Sequence, residues 1–179
     1  MNPVLPKNNP KYIPEITDKF GTSGLKIDLG CGNRKRADYI GLDIRDYPPV
    51  DICDATVLIP LPASSVAHVY SYHTLEHITT ENLWRVFHEL ARVTAPGAVL
   101  DLWVPYWTHF TAYNLSHTTR LNEYTFMESS FTQYFEVDHF EFTYEDEFKG
   151  LSQPMKDLAR RHLMNVVKEV RVIAKTRNK

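Results

Sequence analysis

The sequence predicts an α/β fold: a mostly parallel sheet of about seven strands, an antiparallel strand at one edge, and helices reduced on one face. Three observations carry this prediction. Short alternating apolar segments are interleaved with helical periodicities. Successive segments run into glycine, acidic or histidine turns, where open α/β sheets place their ligand sites. The connections between the first three segments are shorter than the roughly 10–12 residues that a helical crossover needs.

The chain of 179 residues makes about one domain at roughly 150 residues per domain. Hydrophobic residues are 43% and charged residues 23%, which excludes a disordered, collagen-like or coiled-coil protein. No stretch approaches the ~20 apolar residues of a membrane helix, and Met1 to Lys7 has no apolar run of the secretory kind. Net charge is −2, which argues against a protein that coats nucleic acid. Cys31 and Cys53 do not make a disulfide framework. A cytoplasmic protein with no membrane partner is expected. Acidic residues crowd Glu136 to Glu147 and basic ones predominate from Lys149 onward, which fits solvated surfaces that partly neutralise each other.

Residues 1–24, with Pro3, Pro6, Pro10 and Pro14, read as an extended N-terminal arm with a short turn near 15–20. Residues 25–179 form the single domain. Leu25–Leu29 alternates as a first strand and runs into Gly30-Cys31-Gly32. Tyr39–Asp43 and Val50–Cys53 follow, then His68–Tyr72. Thr79 or Thr80 caps a helix whose apolar positions are Leu83, Val86, Phe87, Leu90 and Val93, with Glu81, Arg85 and Glu89 on its polar side. That helix stops before Pro96-Gly97, and Ala98–Val104 is the fifth strand. Residues 105–130 are an aromatic and histidine-rich excursion with a short helix near 119–129. Phe135–Tyr144 alternates as a strand, with Val137, His139 and Glu141 on one side and Asp138, Phe140 and Phe142 on the other. A helix near 154–167 and a last strand over 170–175 complete the chain.

The chemistry gathers at the expected carboxyl edge. Glycines 30 and 32 tolerate positive φ and let a ligand approach the backbone. Asp43 ends the second strand, where a carboxylate can accept the hydroxyls of a ribose. Asp54 and Ala55 offer an acceptor and an N–H after the third strand, and Tyr72-His73-Thr74-Leu75-Glu76-His77 follows the fourth.

Over residues 25 to 120 the sequence resembles the class I, Rossmann-like S-adenosylmethionine-dependent methyltransferases, in their short type 11-like branch. The motifs are Asp28-Leu29-Gly30-Cys31-Gly32, Leu75-Glu76-His77 and Arg92-Val93-Thr94-Ala95-Pro96-Gly97. The resemblance implies S-adenosyl-L-methionine as cofactor. It assigns the methionine and ribose parts to Asp28, Gly30, Cys31 and Gly32, the ribose to Asp43 with Ile44 beside it, the adenine to Asp54 and Ala55, and the methionine end to His73. The excursion after the fifth strand is the acceptor pocket by the same resemblance. It is similar to a D-x-x-H stretch there, with Asn114 and His117 in that place.

The expected activity is O- or N-methylation of a sugar or other small metabolite. A hydroxyl acceptor needs a base, for which the candidates are His117, His109 and His73. His77 is expected to orient a loop or cap the helix. No metal site is assigned, because His109 and His117 with a carboxylate lack diagnostic spacing. The loop departs from the family pattern in lacking a third glycine. Only Cys31 to Asp38 joins the first two strands, so one sheet face should be covered by the N-terminal arm or a partner subunit, such as a second copy in a homodimer, or stay wet. Two other functions remain as alternatives: a non-catalytic binding or scaffold protein of the same fold, and a nicotinamide-dependent oxidoreductase, which the glycine loop fits poorly.

Overall fold

Seven strands form one sheet. They are β1 (Leu25–Leu29), β2 (Ile40–Asp43), β3 (Ile52–Cys53), β4 (Val66–Tyr72), β5 (Thr94–Pro105), β6 (Phe135–Tyr144) and β7 (Val167–Thr176), in spatial order β3-β2-β1-β4-β5-β7-β6. β3 to β5 pair in parallel, whereas β7 runs antiparallel to both β5 and β6, so antiparallel pairing is confined to this edge. The helices are α1 (Tyr12–Phe20), α2 (Thr80–Val93), α3 (Ser129–Thr132) and α4 (Gln153–His162). The computed structural model describes residues 12–45, 52–53 and 59–178, without the side chains of residues 12–15 and 52–53.

Register separates the two faces. Ile27 and Leu29 lie beside Ile40 and Leu42 on one side and Val69 and Ser71 on the other, and the row continues through Leu100, Leu102, Val172 and Ala174. All of these are buried. Ile16 of α1, the α2 residues Leu83, Val86, Phe87 and Leu90, Phe131 of α3 and Ala159 of α4 join them in one core. The opposite face carries cross-strand rows of another kind. Lys26, His68, Val99, Lys175 and Glu136 form one, Asp28, Tyr70, Asp101, Ile173 and His139 a second, and Tyr72, Trp103, Arg171 and Glu141 a third. Arg171 donates to both carboxylate oxygens of Asp101 at 2.8 and 2.9 Å and to Glu141 at 2.9 Å, and its guanidinium stands 5.0 Å from the Trp103 ring. A guanidinium over an aromatic ring keeps its donors wet while its plane shields carbon. Residues 30–39, between β1 and β2, hold no helix, so this connection adds no helical cover to the sheet.

Several local expectations are corrected. The supposed arm contains α1, because a proline in the first helical turn removes no hydrogen bond the helix needs. α2 ends at Val93, before Pro96-Gly97 as expected, but β5 starts at Thr94 and not at Ala98, so Pro96-Gly97, with Gly97 at φ +77°, is a kink within the strand. The short helix near 119–129 is a 3-10 turn at Glu123–Phe126 followed by α3, and α4 ends at His162. A bulge between Val137 and His139 moves Val137 to the side of Phe140 and Phe142, against the core. Glu89 does not sit on a polar face: it is buried, accepts from Ile59 N at 3.2 Å and pairs with Arg92. Arg92 also donates to the carbonyls of Ile59 (2.7 Å) and Leu61 (3.1 Å), so this pair fixes the approach to β4.

Replacing Arg92 leaves Glu89 buried and short of its partner. Arg92→Ala is expected to lower unfolding stability by about 2–4 kcal/mol in urea titrations. A loss below about 0.5 kcal/mol, the range of a plain surface substitution, would show that water replaces the guanidinium.

Candidate functional site

A cleft of about 610 Å³ opens at the carboxyl ends of β1, β2 and β4, within the size range of small-molecule sites. Its walls include Gly30, Gly32, Asp43, Ile44, His73, Thr74 and His77, with Ser116 from the excursion. Gly30 and Gly32 have φ of +73° and +53°, the left-handed turn that brings backbone N–H groups round toward β2. Gly30 N and Cys31 N donate to Leu42 O at 2.7 and 3.1 Å. A Cβ at Gly30 would stand 2.0 Å from Thr74 Oγ1, so no other residue fits.

Asp43 is the best-held acidic group of the site. Its Oδ2 accepts from Gly32 N at 2.9 Å and its Oδ1 from Arg45 N at 3.0 Å. A carboxylate has about four lone-pair positions, so each oxygen keeps one for a ligand hydroxyl. Ile44 beside it is 68% exposed on the cleft wall, an apolar surface suited to the face of a base. A vicinal diol against Asp43, an aromatic ring against Ile44 and a polar tail along glycines 30 and 32 fit the requirements of a nucleoside cofactor.

Asp28 and Cys31 behave differently from Asp43. Asp28 is buried, does not line the cleft and accepts from Arg36 N at 2.8 Å, so it ties down the β1–β2 loop. Burial raises its pKa, and the Arg36 hydrogen bond and charge offset part of the rise. Cys31 is buried, with its sulfur packed near Gly41 and 3.6 Å from the Gly32 carbonyl. Asp54 and Ala55 lie outside the described residues.

Of the histidine candidates, only His73 lines the cleft. It has φ +52°, a conformation that costs a non-glycine residue on the order of 1–3 kcal/mol and gathers at functional positions. The ring stacks on Tyr72 with centroids 4.3 Å apart, and Nε2 stands 2.9 Å from Glu169 Oε1. Tyr72 donates to the same oxygen at 2.9 Å, and burial, reinforced by Glu169, pushes the phenol up to about 12. The His73 and Tyr72 hydrogen bonds hold the Glu169 carboxyl below its ordinary range against partial burial. Glu169 comes from β7, nearly a hundred residues away, and no sequence signal pointed to it.

His117 stands one layer back, its ring edge-on to His77 at 4.7 Å, with burial and then the charges of His77 and His73 lowering its pKa. His109 is elsewhere: fully buried, with Nδ1 2.7 Å from Thr111 Oγ1 and Nε2 2.8 Å from Glu145. His77 orients the excursion, its Nδ1 bonding the Ser116 carbonyl at 3.0 Å. Thr74 and Ser116 were not singled out. Thr74 could have been found as the residue after the β4 turn, whereas Ser116 reaches the cleft only through tertiary folding.

Comparison with known proteins bears on the fold and on residues 27–100. Residues 27–100 match the family model of the methyltransferase domain. No curated protein matches the sequence. Among solved structures, a S-adenosylmethionine-dependent methyltransferase from Archaeoglobus fulgidus superposes with a TM-score of 0.62 at 15% identity, over 93% of this chain and 92% of the other. One from Mesorhizobium loti gives 0.56 at 17% identity, over 90% and 96%. Phosphoethanolamine N-methyltransferase 2 from Haemonchus contortus, solved with S-adenosyl-L-methionine, gives 0.56 at 14% identity, over 97% of this chain and 54% of that longer one. Residues 27–100 thus resemble a methyltransferase domain, and the chain has the Rossmann-like fold seen in these S-adenosylmethionine-dependent methyltransferases.

Proposed function

We propose that this methyltransferase modifies a hydroxyl or amine of a small polar metabolite, a sugar or a similar compound, and that Asp43, Gly30, Gly32 and Ile44 hold its cofactor. The observation that carries the site is Asp43: a carboxylate fixed by two backbone N–H groups, with a lone pair left on each oxygen, at the mouth of a nucleoside-sized cleft. When bound, S-adenosylmethionine supplies an electrophilic methyl on a sulfonium. The chain's own groups grip the ribose at Asp43, lay the base against Ile44 and leave His73 facing the space beyond the glycine turn. His73, held by Glu169 and Tyr72, orients an acceptor hydroxyl and takes its proton as the carbon–oxygen bond forms. His117 supports the same region from behind His77, whereas the enclosed position of His109 supports a structural role. The excursion at 105–130 closes the acceptor side through Ser116. No helix among the described residues is long and apolar enough to cross a membrane.

Calorimetry with S-adenosylhomocysteine tests the cofactor site. The chain is expected to bind it, with NAD giving no heat, and Asp43→Ala is expected to weaken binding at least about tenfold, the loss of roughly 1.4 kcal/mol. Absence of heat with the native chain overturns the site. Transfer of labelled methyl from S-adenosylmethionine to a panel of sugars, amino acids and phenols tests turnover, with His73→Ala expected to lower the rate by about a hundredfold or more for a hydroxyl acceptor. Binding without transfer to any acceptor would favour a non-catalytic binding protein.

The open sheet face supports a homodimer. It is basic at the β1 side, through Lys26 and Arg36, and acidic at the β6 side, through Glu136 and Glu141. A two-fold axis through its centre sets opposite charges against each other around Tyr72, Trp103 and Ile173. Sedimentation equilibrium is expected to give a dimer that weakens with salt and with Lys26→Glu. A monomer at all concentrations overturns this.

A further inference from the structure

Glu76 lies in a short 3-10 turn beside the cleft, is 2% exposed, and neither of its carboxylate oxygens has a hydrogen-bond partner. A carboxylate taken out of water with nothing bound to it is costly, and such groups are accounted for by a cation or a proton. His73 Nδ1 stands 3.9 Å from Glu76 Oε1, beyond hydrogen-bond reach.

Imidazoles approach Glu76 from two directions. His77 follows it in the turn, and His117 arrives from the excursion; one ligand atom from each of the three residues lies within 4.8 Å of the others. Zinc holds nitrogen and oxygen ligands at about 2.0–2.2 Å, so these three atoms have to draw closer together to close on an ion. The second shell is already present. His77 Nδ1–H donates to the Ser116 carbonyl, which leaves the lone pair on Nε2 as a metal ligand requires. His117 Nδ1 is itself buried with no partner. The segments that carry the ligands are fastened together: Thr118 N and Thr119 N donate to Glu76 O at 2.8 and 3.1 Å, and Thr119 Oγ1 donates to Ile78 O at 2.7 Å.

We propose that Glu76, His77 and His117 form a binding site for a divalent transition-metal ion of the zinc class, on the acceptor side of the cleft. Two imidazoles and one carboxylate suit zinc and its neighbours and not magnesium or calcium, which take oxygen sets. Three protein ligands leave an open coordination position. His77 and Ser116 line the cleft, so that position meets the acceptor space and takes an acceptor oxygen, a hydroxyl or carboxylate. This last step rests on the small-molecule methyltransferase reading, whereas the metal site itself does not.

The test is calorimetry of zinc chloride into the chelator-treated full chain, with magnesium chloride as control. One zinc per chain, no response to magnesium, and visible ligand-field bands from cobalt in the same site are expected. Glu76→Gln and, for a chain less disturbed in its interior, His117→Ala are each expected to weaken zinc binding at least about tenfold, with circular dichroism confirming the fold. Absence of zinc heat, or zinc binding unchanged in a folded His117→Ala chain, overturns the site. S-adenosylhomocysteine titrated into the same native preparation reports separately on the cofactor cleft, so failure of one assignment is distinguished from failure of the other.

Discussion

The short link between β1 and β2 constrains everything around it. Neighbouring parallel strands are normally joined by a dozen or more residues, most of them helical. Here Gly30 to Tyr39 must make the return alone, and the loop is held by polar ties that a helix would have made unnecessary. Asp28 takes Arg36 N, Asp43 takes Gly32 N, Arg36 lies over Tyr70 at 4.0 Å, and Lys35 and Cys31 press so close to Gly41 that a Cβ there would meet them at 2.6 and 2.8 Å. Among the described residues the same economy puts no helix between β1 and β2, and it makes the carboxylate that ties the loop, Asp28, and the one that lines the cleft, Asp43, two different residues.

That division explains which parts of the site were legible. A glycine turn after an alternating strand and an acid at the end of the next strand are local signals, and both fall where the cleft opens. Asp28 carries the same local signal, yet its side chain faces the loop, because alternation along β1 puts it on the side opposite Leu29. Glu89 looked solvent-facing from helical spacing alone, and only the return of residues 59–61 past α2 buries it. The β6 bulge shifts one residue and thereby reverses the side of Val137, which no period-two count can foresee. Glu169 and Ser116 enter the site through pairings between distant segments, so no spacing in the sequence encodes them.

The bare face is tolerated because its rows are amphipathic and not apolar. Tyr39 donates to or accepts from His68 Nδ1 at 3.2 Å and is flanked by Lys26 and Arg36, and Trp103 sits beneath Arg171. Each ring shields carbon from water while its polar neighbours stay solvated. An apolar version of this face would drive nonspecific association, which the charged side chains from Lys26 to Glu141 oppose.

The turn after β4 joins these threads. His73 can hold φ +52° only because its surroundings over-determine it: its N–H donates to Trp103 O at 3.0 Å, its ring stacks on Tyr72, and Glu169 faces Nε2. That sharp reversal sends Thr74 Oγ1 back to Leu29 O at 3.1 Å, against the spot where only a glycine fits, and starts the 3-10 turn that buries Glu76. One strained residue thus sets both the glycine loop and the Glu76–His77–His117 cluster beside the cleft. Relaxing its backbone would move both together, so the two halves of the site are mechanically a single feature of the β4 edge.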